Sequence, residues 1–284
     1  MLEVIFLYKS DFRIKIPIKK MIPVSAIEEW RNKVPWQTNE QVEQDLIICR
    51  GLTEIFKDEF LAQSLAFRGG TALHKLYLSP QPRYSEDIDL VQISAGPIKP
   101  IIDKLRDEVL SFLGVPVVKQ KANNNTLIFR FESEIAPVMP IRLKVETNCR
   151  EHFSVLGWSK FPFSVESEWY NDACEITTYP LEELLGTKLR ALYQRRKGRD
   201  LFDLYTAITQ KDLNFDQILT CYREYMNFVV GSNVPTQREF LLNMEEKMLD
   251  TEFLGDTQLL LRNGEAYDPQ KAYLLVKENL LTRI

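Results

Sequence analysis

Apolar residues recur at intervals of three and four from Ser25 to Lys33 and from Asn39 to Phe60, as in Val42, Leu46, Ile47 and Leu52, Ile55, Phe56. This spacing predicts two amphipathic helices, separated at Pro35. Ser64 to Arg68 reads as a short apolar strand closed by Gly69-Gly70, and Thr71 to Leu78 as a helix stopped by the Pro80/Pro82 loop. From Glu86 to Ile93 the period changes to two, with Asp87 and Asp89 on one side and Ile88 and Leu90 on the other, which predicts a strand. Ile98 to Leu113 returns to helical spacing. Val115–Lys121, Thr126–Glu132 and Ile141–Thr147 then read as strands of one sheet, with Asn123-Asn124-Asn125 as a hairpin turn and Val155–Val165 and Ala173–Thr177 as edge strands. After Pro180 the pattern is helical: Leu181–Arg195, Arg199–Thr209, Phe215–Val229, Thr236–Leu249 and Pro269–Leu281. The expected class is α/β, a mixed sheet with flanking helices over 21–165, followed by an all-helical domain over 166–284.

Composition narrows the chemistry. With 284 residues, 45% of them apolar and 27% charged, the chain is long enough for a real core and has the make-up of a soluble globular protein. No apolar stretch approaches the ~18 residues a membrane span needs, and the start has neither a basic n-region nor a small-residue cleavage site, so a cytoplasmic protein is expected. Four scattered cysteines (Cys49, Cys149, Cys174, Cys221) and only two histidines (His74, His152) argue against a zinc site, Ser-His-Asp or Cys-His nucleophiles and zincin chemistry. The net charge of −4 argues against a general nucleic-acid coat and leaves room for a local basic surface. Residues 1–20 carry a net charge of +3 before helical patterning begins. They are expected to be a loosely held extension, with Met21 an alternative or natural start.

Four features can carry chemistry, each with a plainer reading beside it. Asp87 and Asp89, at i and i+2 of a strand, point to one face and can share a hard cation such as Mg²⁺; D-x-D also occurs by chance on exposed sheet faces. Glu146 shares a strand face with Arg142 and Lys144 and can supply a third carboxylate, or simply be solvated. Arg68-Gly69-Gly70-Thr71 joins a strand to a helix through glycines that let a phosphate approach the backbone, or make an ordinary tight turn. Lys188 projects near the middle of the apolar face set by Leu181, Leu185 and Leu192, so it either snorkels to water or reaches a cleft where it meets a phosphate or a carboxylate. Asp200 and Asp203 follow at i and i+3 on the next helix, with an N-cap or an ion pair to Arg196 as the plainer role for Asp200. The cluster Lys188, Arg190, Arg195, Arg196, Lys197, Arg199 is either a solvated helix end or the footprint of a phosphate backbone. Trp36, Trp158 and Trp169 can stack on bases or pack in the core.

In this order, FRGGTALHKLY, RYSEDIDL, LKVE and ELLGTKLRALYQRRKGRDLFDLY resemble the AbiEii/AbiGii toxin family of nucleotidyltransferases, within the DNA polymerase β-like superfamily, over about residues 22–210. The resemblance implies a nucleotidyltransferase-type sheet and a helical domain that contributes to the active-site cleft. It implies a triphosphate cradle at Gly69, Gly70 and Thr71 with Arg83 and Ser85 leading into the acidic motif, and a metal pair at Asp87 and Asp89. It also implies a phosphate-contacting Lys188, an acidic motif at Asp200 and Asp203, and Glu146 as third carboxylate and base. Sixteen residues separate Gly70 from Asp87, more than is usual in the superfamily; the Pro80–Pro82 loop can absorb them. The expected reaction is Mg²⁺-dependent attack by an acceptor hydroxyl on the α-phosphate of a nucleoside triphosphate (NTP), with two ions at the site. The expected acceptor is RNA, above all the 3′ end of tRNA, and the expected partner a separately encoded AbiEi-type antitoxin of an abortive-infection system. Modification of a protein, a housekeeping nucleotidyltransferase, and a nucleotide- or RNA-binding module without catalysis are the alternatives.

Overall fold

The computed structural model describes residues 21–284. The expectations for residues 1–20, and for Met21 as a start, lie outside the described residues. Helices α1 (Val24–Arg31) and α2 (Asn39–Lys57) follow the three-and-four spacing. α2 ends earlier than that spacing suggests, because Asp58 caps a separate helix α3 (Glu59–Ser64) by accepting from the Leu61 N–H at 3.0 Å. Val42, Leu46, Ile47, Leu52 and Ile55 of α2 are fully buried, each such side chain contributing roughly 1.5–3 kcal/mol.

The strands are β1 (Leu65–Arg68), β2 (Asp87–Gln92), β3 (Val117–Lys121), β4 (Asn124–Glu132), β5 (Pro140–Asn148), β6 (Ser159–Glu166) and β7 (Asn171–Thr178). They form one mixed sheet in the order β3-β4-β5-β2-β1-β7-β6, with β2/β5 and β1/β7 parallel and the other pairs antiparallel. Register matters most at the centre: Asp89 stands opposite Arg68 on β1 and opposite Glu146 on β5, while Asp87 stands opposite Lys144. Because side chains alternate along strands, these groups share one face of the sheet, and α2 packs against β2, β5, β6 and β7.

Several boundaries differ from the sequence reading. The β3–β4 hairpin turns at Ala122-Asn123, with Asn124 and Asn125 already paired in the ladder. The stretch after β1 is one turn of α-helix, α4 (Gly69–Ala72), which widens into a π-helical turn at Leu73–Tyr77. The 98–113 segment likewise passes from α5 (Lys99–Lys104) through a π-turn to a 3₁₀ turn. The boundary expected at 165 falls within β6, and β7 is an interior strand that carries the sheet on to Thr178. The helical region therefore begins at α6 (Leu181–Gln194), followed by α7 (Gly198–Gln210), α8 (Phe215–Val230), α9 (Gln237–Lys247), a short unpredicted α10 (Thr251–Gly255) and α11 (Pro269–Asn279).

This region has its own apolar centre, including Leu185, Leu189, Leu192, Leu204, Phe240 and Met244. It is also welded to the sheet. Leu184, Cys221 and Tyr225 join the sheet's core, the Tyr84 N–H donates to the Leu260 carbonyl at 2.7 Å, and the Arg262 N–H to that of Pro82 at 3.1 Å. Among the described residues no helix is long and apolar enough to cross a membrane.

Candidate active site

One wall of the central cleft is acidic. Asp87, Asp89 and Glu146 project from neighbouring strands onto the same face, and Lys144 links two of them, its ammonium 2.9 Å from Glu146 Oε2 and 3.5 Å from Asp87 Oδ2. Burial pushes the Asp87 carboxyl up to about 6 against the pull of Lys144, and burial, with the charge of Glu146, raises Asp89. Burial would raise Glu146 too, but its bonds to Lys144 and Asn124 outweigh this and hold it below the usual carboxylate value. A carboxyl group that resists ionisation in the free protein is one that a cation would relieve. The donors are all hard oxygens, a set that fits Mg²⁺. As they stand, however, no three His, Cys, Asp or Glu side chains among the described residues are gathered tightly enough to hold an ion.

The turn between β1 and α4 is shaped around these acids. Gly69 adopts φ +80°, and a Cβ there would lie 2.2 Å from Asp89 Oδ2; a Cβ on Gly70 would lie 2.7 Å from Arg83 Nη2. Glycine is thus required twice, once for conformation and twice for space. Thr71 is buried: its hydroxyl donates to the Asp87 carbonyl at 2.5 Å and accepts from Ser85 Oγ at 2.7 Å.

The opposite wall is cationic, and buried acids hold it together. Asp203 is wholly buried and receives Arg83 through Nε and Nη2 at 2.7 and 2.8 Å, Lys188 at 2.7 Å and His74 Nε2 at 2.8 Å. Although burial alone would raise it, Arg83, Lys188 and His74 keep its carboxyl well below the ordinary value. Burial and the Arg83 charge push His74 down to about 4, so the ring is neutral near pH 7 and donates from Nε2. Asp200, also wholly buried, takes Lys188 at 3.2 Å and both arms of Arg195 at 2.6 and 2.8 Å. Three basic side chains, Arg83, Lys188 and Arg195, meet two carboxylates here, a formal excess of one positive charge at the cleft.

Two adjoining hollows share Gly70, Asp89, Lys188 and Arg195. The larger, about 280 Å³, adds Glu146, Arg68, Arg190, Asn124 and Asn148. The smaller, about 150 Å³, adds Arg83, Ser85, Asp87, Lys197 and Arg199. The structure therefore brings Gly69, Gly70, Asp87, Asp89, Glu146 and Lys188 together at the cleft, with Ser85 and Arg83 at its edge. Thr71, Asp200 and Asp203 lie behind it as supports. Arg196 leaves the basic cluster for Asp250, at 3.3 Å. The tryptophans pack: Trp36 edge-on to Tyr84, Trp158 on Tyr179, Trp169 against Phe112.

A cleft between carboxylates and fixed cations can serve many reactions; the comparisons with known proteins narrow it. The family model described as nucleotidyl transferase AbiEii toxin, type IV toxin–antitoxin system, matches residues 50–272. The chain belongs to this AbiEii family. It is accordingly a nucleotidyltransferase of the toxin class, and an NTP substrate and an antitoxin partner come with that membership. The fold agrees. MenT4, a nucleotidyltransferase toxin from Mycobacterium tuberculosis H37Rv, superposes with a TM-score of 0.61 at 14% identity over 93% of this chain and 90% of that one. JHP933 from Helicobacter pylori gives 0.50 at 16% identity over 85% and 90%. No curated protein matches the chain.

Within this AbiEii chain, sequence reasoning passed over two groups. Glu151, almost fully buried, takes Arg68 and Arg190 at 2.6 Å each, and so fixes two cations of the larger hollow. Burial would raise its carboxyl, but the two guanidinium groups bring it down to about 2. His74 was discounted with the histidine count, yet it completes the shell of Asp203. The local signal for His74 was its place in TALHKLY, next to the glycine turn; Glu151 left none.

Proposed function

We propose that this AbiEii chain transfers a nucleoside monophosphate from an NTP to the 3′ end of tRNA, in the cytoplasm, and is held in check by a separately encoded AbiEi-type antitoxin of an abortive-infection system. The observation that carries the reading is the row Arg68, Asp89, Glu146 across the sheet, with Asp87 beside it, facing Lys188 and Arg195. The phosphate tail belongs in the smaller hollow, where the Gly69-Gly70 turn, Ser85, Lys188, Arg195, Lys197 and Arg199 offer donors and positive charge. The acceptor end belongs in the larger one, beside Arg68, Arg190 and Glu146.

Asp87, Asp89 and Glu146 would hold Mg²⁺, which when bound supplies charge neutralisation at the reacting phosphate and acidifies the acceptor hydroxyl. The protein's own share is positioning. Lys188 and Arg195, immobilised by Asp200 and Asp203, keep the phosphates in one orientation with no reorganisation needed during transfer. The acceptor hydroxyl passes its proton to a Glu146 oxygen, its oxygen bonds to the α-phosphorus, and the bond to the β-phosphate breaks with departure of pyrophosphate. An RNA acceptor is favoured by the concentration of Arg68, Arg190, Arg195, Lys197 and Arg199 around the cleft of an acidic chain.

The test is incubation with Mg²⁺ and each labelled NTP, offering total cellular RNA and total cellular protein as separate acceptors, with Asp87→Asn as control. Label in tRNA-sized RNA from the wild type alone is the expected result. Label in protein instead moves the acceptor to a side-chain hydroxyl, and label in neither, with NTP binding intact, removes the catalytic reading.

A further inference from the structure

The Lys144 ammonium sits where charge balance calls for a cation. Its strand register puts it opposite Asp87 and two residues before Glu146, on the face that also carries Asp89. Its contacts are these two carboxylates, at 3.5 and 2.9 Å, and its side chain is only 26% exposed. A dication and an ammonium cannot both occupy the space between the same oxygens, because like charges a few ångströms apart repel strongly in partly buried surroundings. Among the described residues the nearby cations are committed elsewhere: Lys188 and Arg195 are tied to Asp200 and Asp203, and Arg68 to Glu151.

We propose that Lys144 is a resident counter-cation of the carboxylate site, competing with the metal for Asp87 and Glu146 and yielding to it when the triphosphate arrives. This rests on the metal assignment under Proposed function and adds to it an order of events. The empty enzyme binds divalent ions weakly. A triphosphate brings several negative charges into the cleft, which both recruit the dication and offer Lys144 a new partner. Metal and nucleotide therefore bind with positive cooperativity, and the lysine side chain is the group they jointly displace.

The test uses the full-length protein and Mn²⁺ as probe, with free Mn²⁺ read by electron paramagnetic resonance, in the absence and presence of a non-hydrolysable NTP analogue. Wild type, Lys144→Met, Lys144→Arg and Asp87→Asn are compared, with circular dichroism to check that each is folded. Without nucleotide, Lys144→Met is expected to bind Mn²⁺ about fivefold more tightly than wild type, the order expected for removing one partly exposed competing ion pair. Lys144→Arg should stay near wild type and Asp87→Asn should bind more weakly. With the analogue present, the gap between wild type and Lys144→Met should narrow. Equal or weaker binding by Lys144→Met, with Asp87→Asn still impaired, overturns this inference alone. Equal binding by Asp87→Asn and wild type overturns the metal assignment, and this inference with it.

Discussion

The two walls of the cleft carry acids of the same chemical type in opposite electrostatic conditions. On the sheet side, Asp87 and Glu146 share a single lysine, with Asp89 beside them on the same face. On the helical side, Asp200 and Asp203 are wholly buried and accept seven hydrogen bonds or ion-pair contacts from four basic side chains. The difference teaches that an acidic motif near a cleft need not act on the substrate. A carboxylate with spare acceptor capacity can take a new cation, whereas one that is saturated serves to aim the cations it already holds.

Substitutions should separate the two walls. The largest effect is expected from Asp87→Asn, which should lower nucleotide transfer by at least about 10³-fold, about 4 kcal/mol of transition-state stabilisation, while leaving the urea midpoint unchanged or slightly raised. A comparable loss of stability in that variant would erase the distinction drawn between the walls. Asp203→Ala should do the reverse and unfold the protein more readily, by about 3–5 kcal/mol, because it strands the Arg83 guanidinium in a buried setting and leaves Lys188 to Asp200; chemical denaturation measures this directly.

His74 provides a pH-dependent version of the same contrast. Its folded value of about 4 lies below the 6.5 of an exposed imidazole, so between those values the unfolded chain binds the proton and the folded one does not. Stability should therefore fall as pH drops from about 6.5 to 4, by up to roughly 3 kcal/mol from this group. His74→Gln should flatten that part of the profile relative to wild type; an unaltered slope would mean that the ring does not report on the shell of Asp203. The smallest effect belongs to Arg196→Ala. This side chain is 60% exposed and, among the described residues, pairs with Asp250 and Glu246, so stability should change by less than about 0.5 kcal/mol and transfer not at all. Arg195→Ala, one residue away, should weaken NTP binding.

Much of this contrast was legible in the chain. The period of two at Asp87 and Asp89, the glycine turn before them and a lysine on an apolar helix face are local patterns, and local patterns survive into the fold. Whether Lys188 met a phosphate or a carboxylate was left open, and the structure shows carboxylates. Partners set by tertiary packing were not legible. His74 meets Asp203 across 129 positions and Arg68 meets Glu151 across 83, and no spacing rule encodes either. Six basic residues in a row of twelve looked alike, yet Arg195 turns inward to Asp200 and Arg196 outward to Asp250. The strand at Ala173–Thr177 reads as an edge for a similar reason: β7 lies inside the sheet because it pairs with β1 through Phe67 and Thr178, a contact that only the fold creates.

The Thr71 hydroxyl, donating to the Asp87 carbonyl and accepting from Ser85, acts as a strut between the glycine turn and the acidic strand. The side chain is short and its hydrogen bond to the strand is tight, so the two move together while that bond holds. A ligand that pulls on the turn transmits its tug to the strand through one hydrogen bond, and the spacing between glycine turn and carboxylates behaves as a gauge built into the chain.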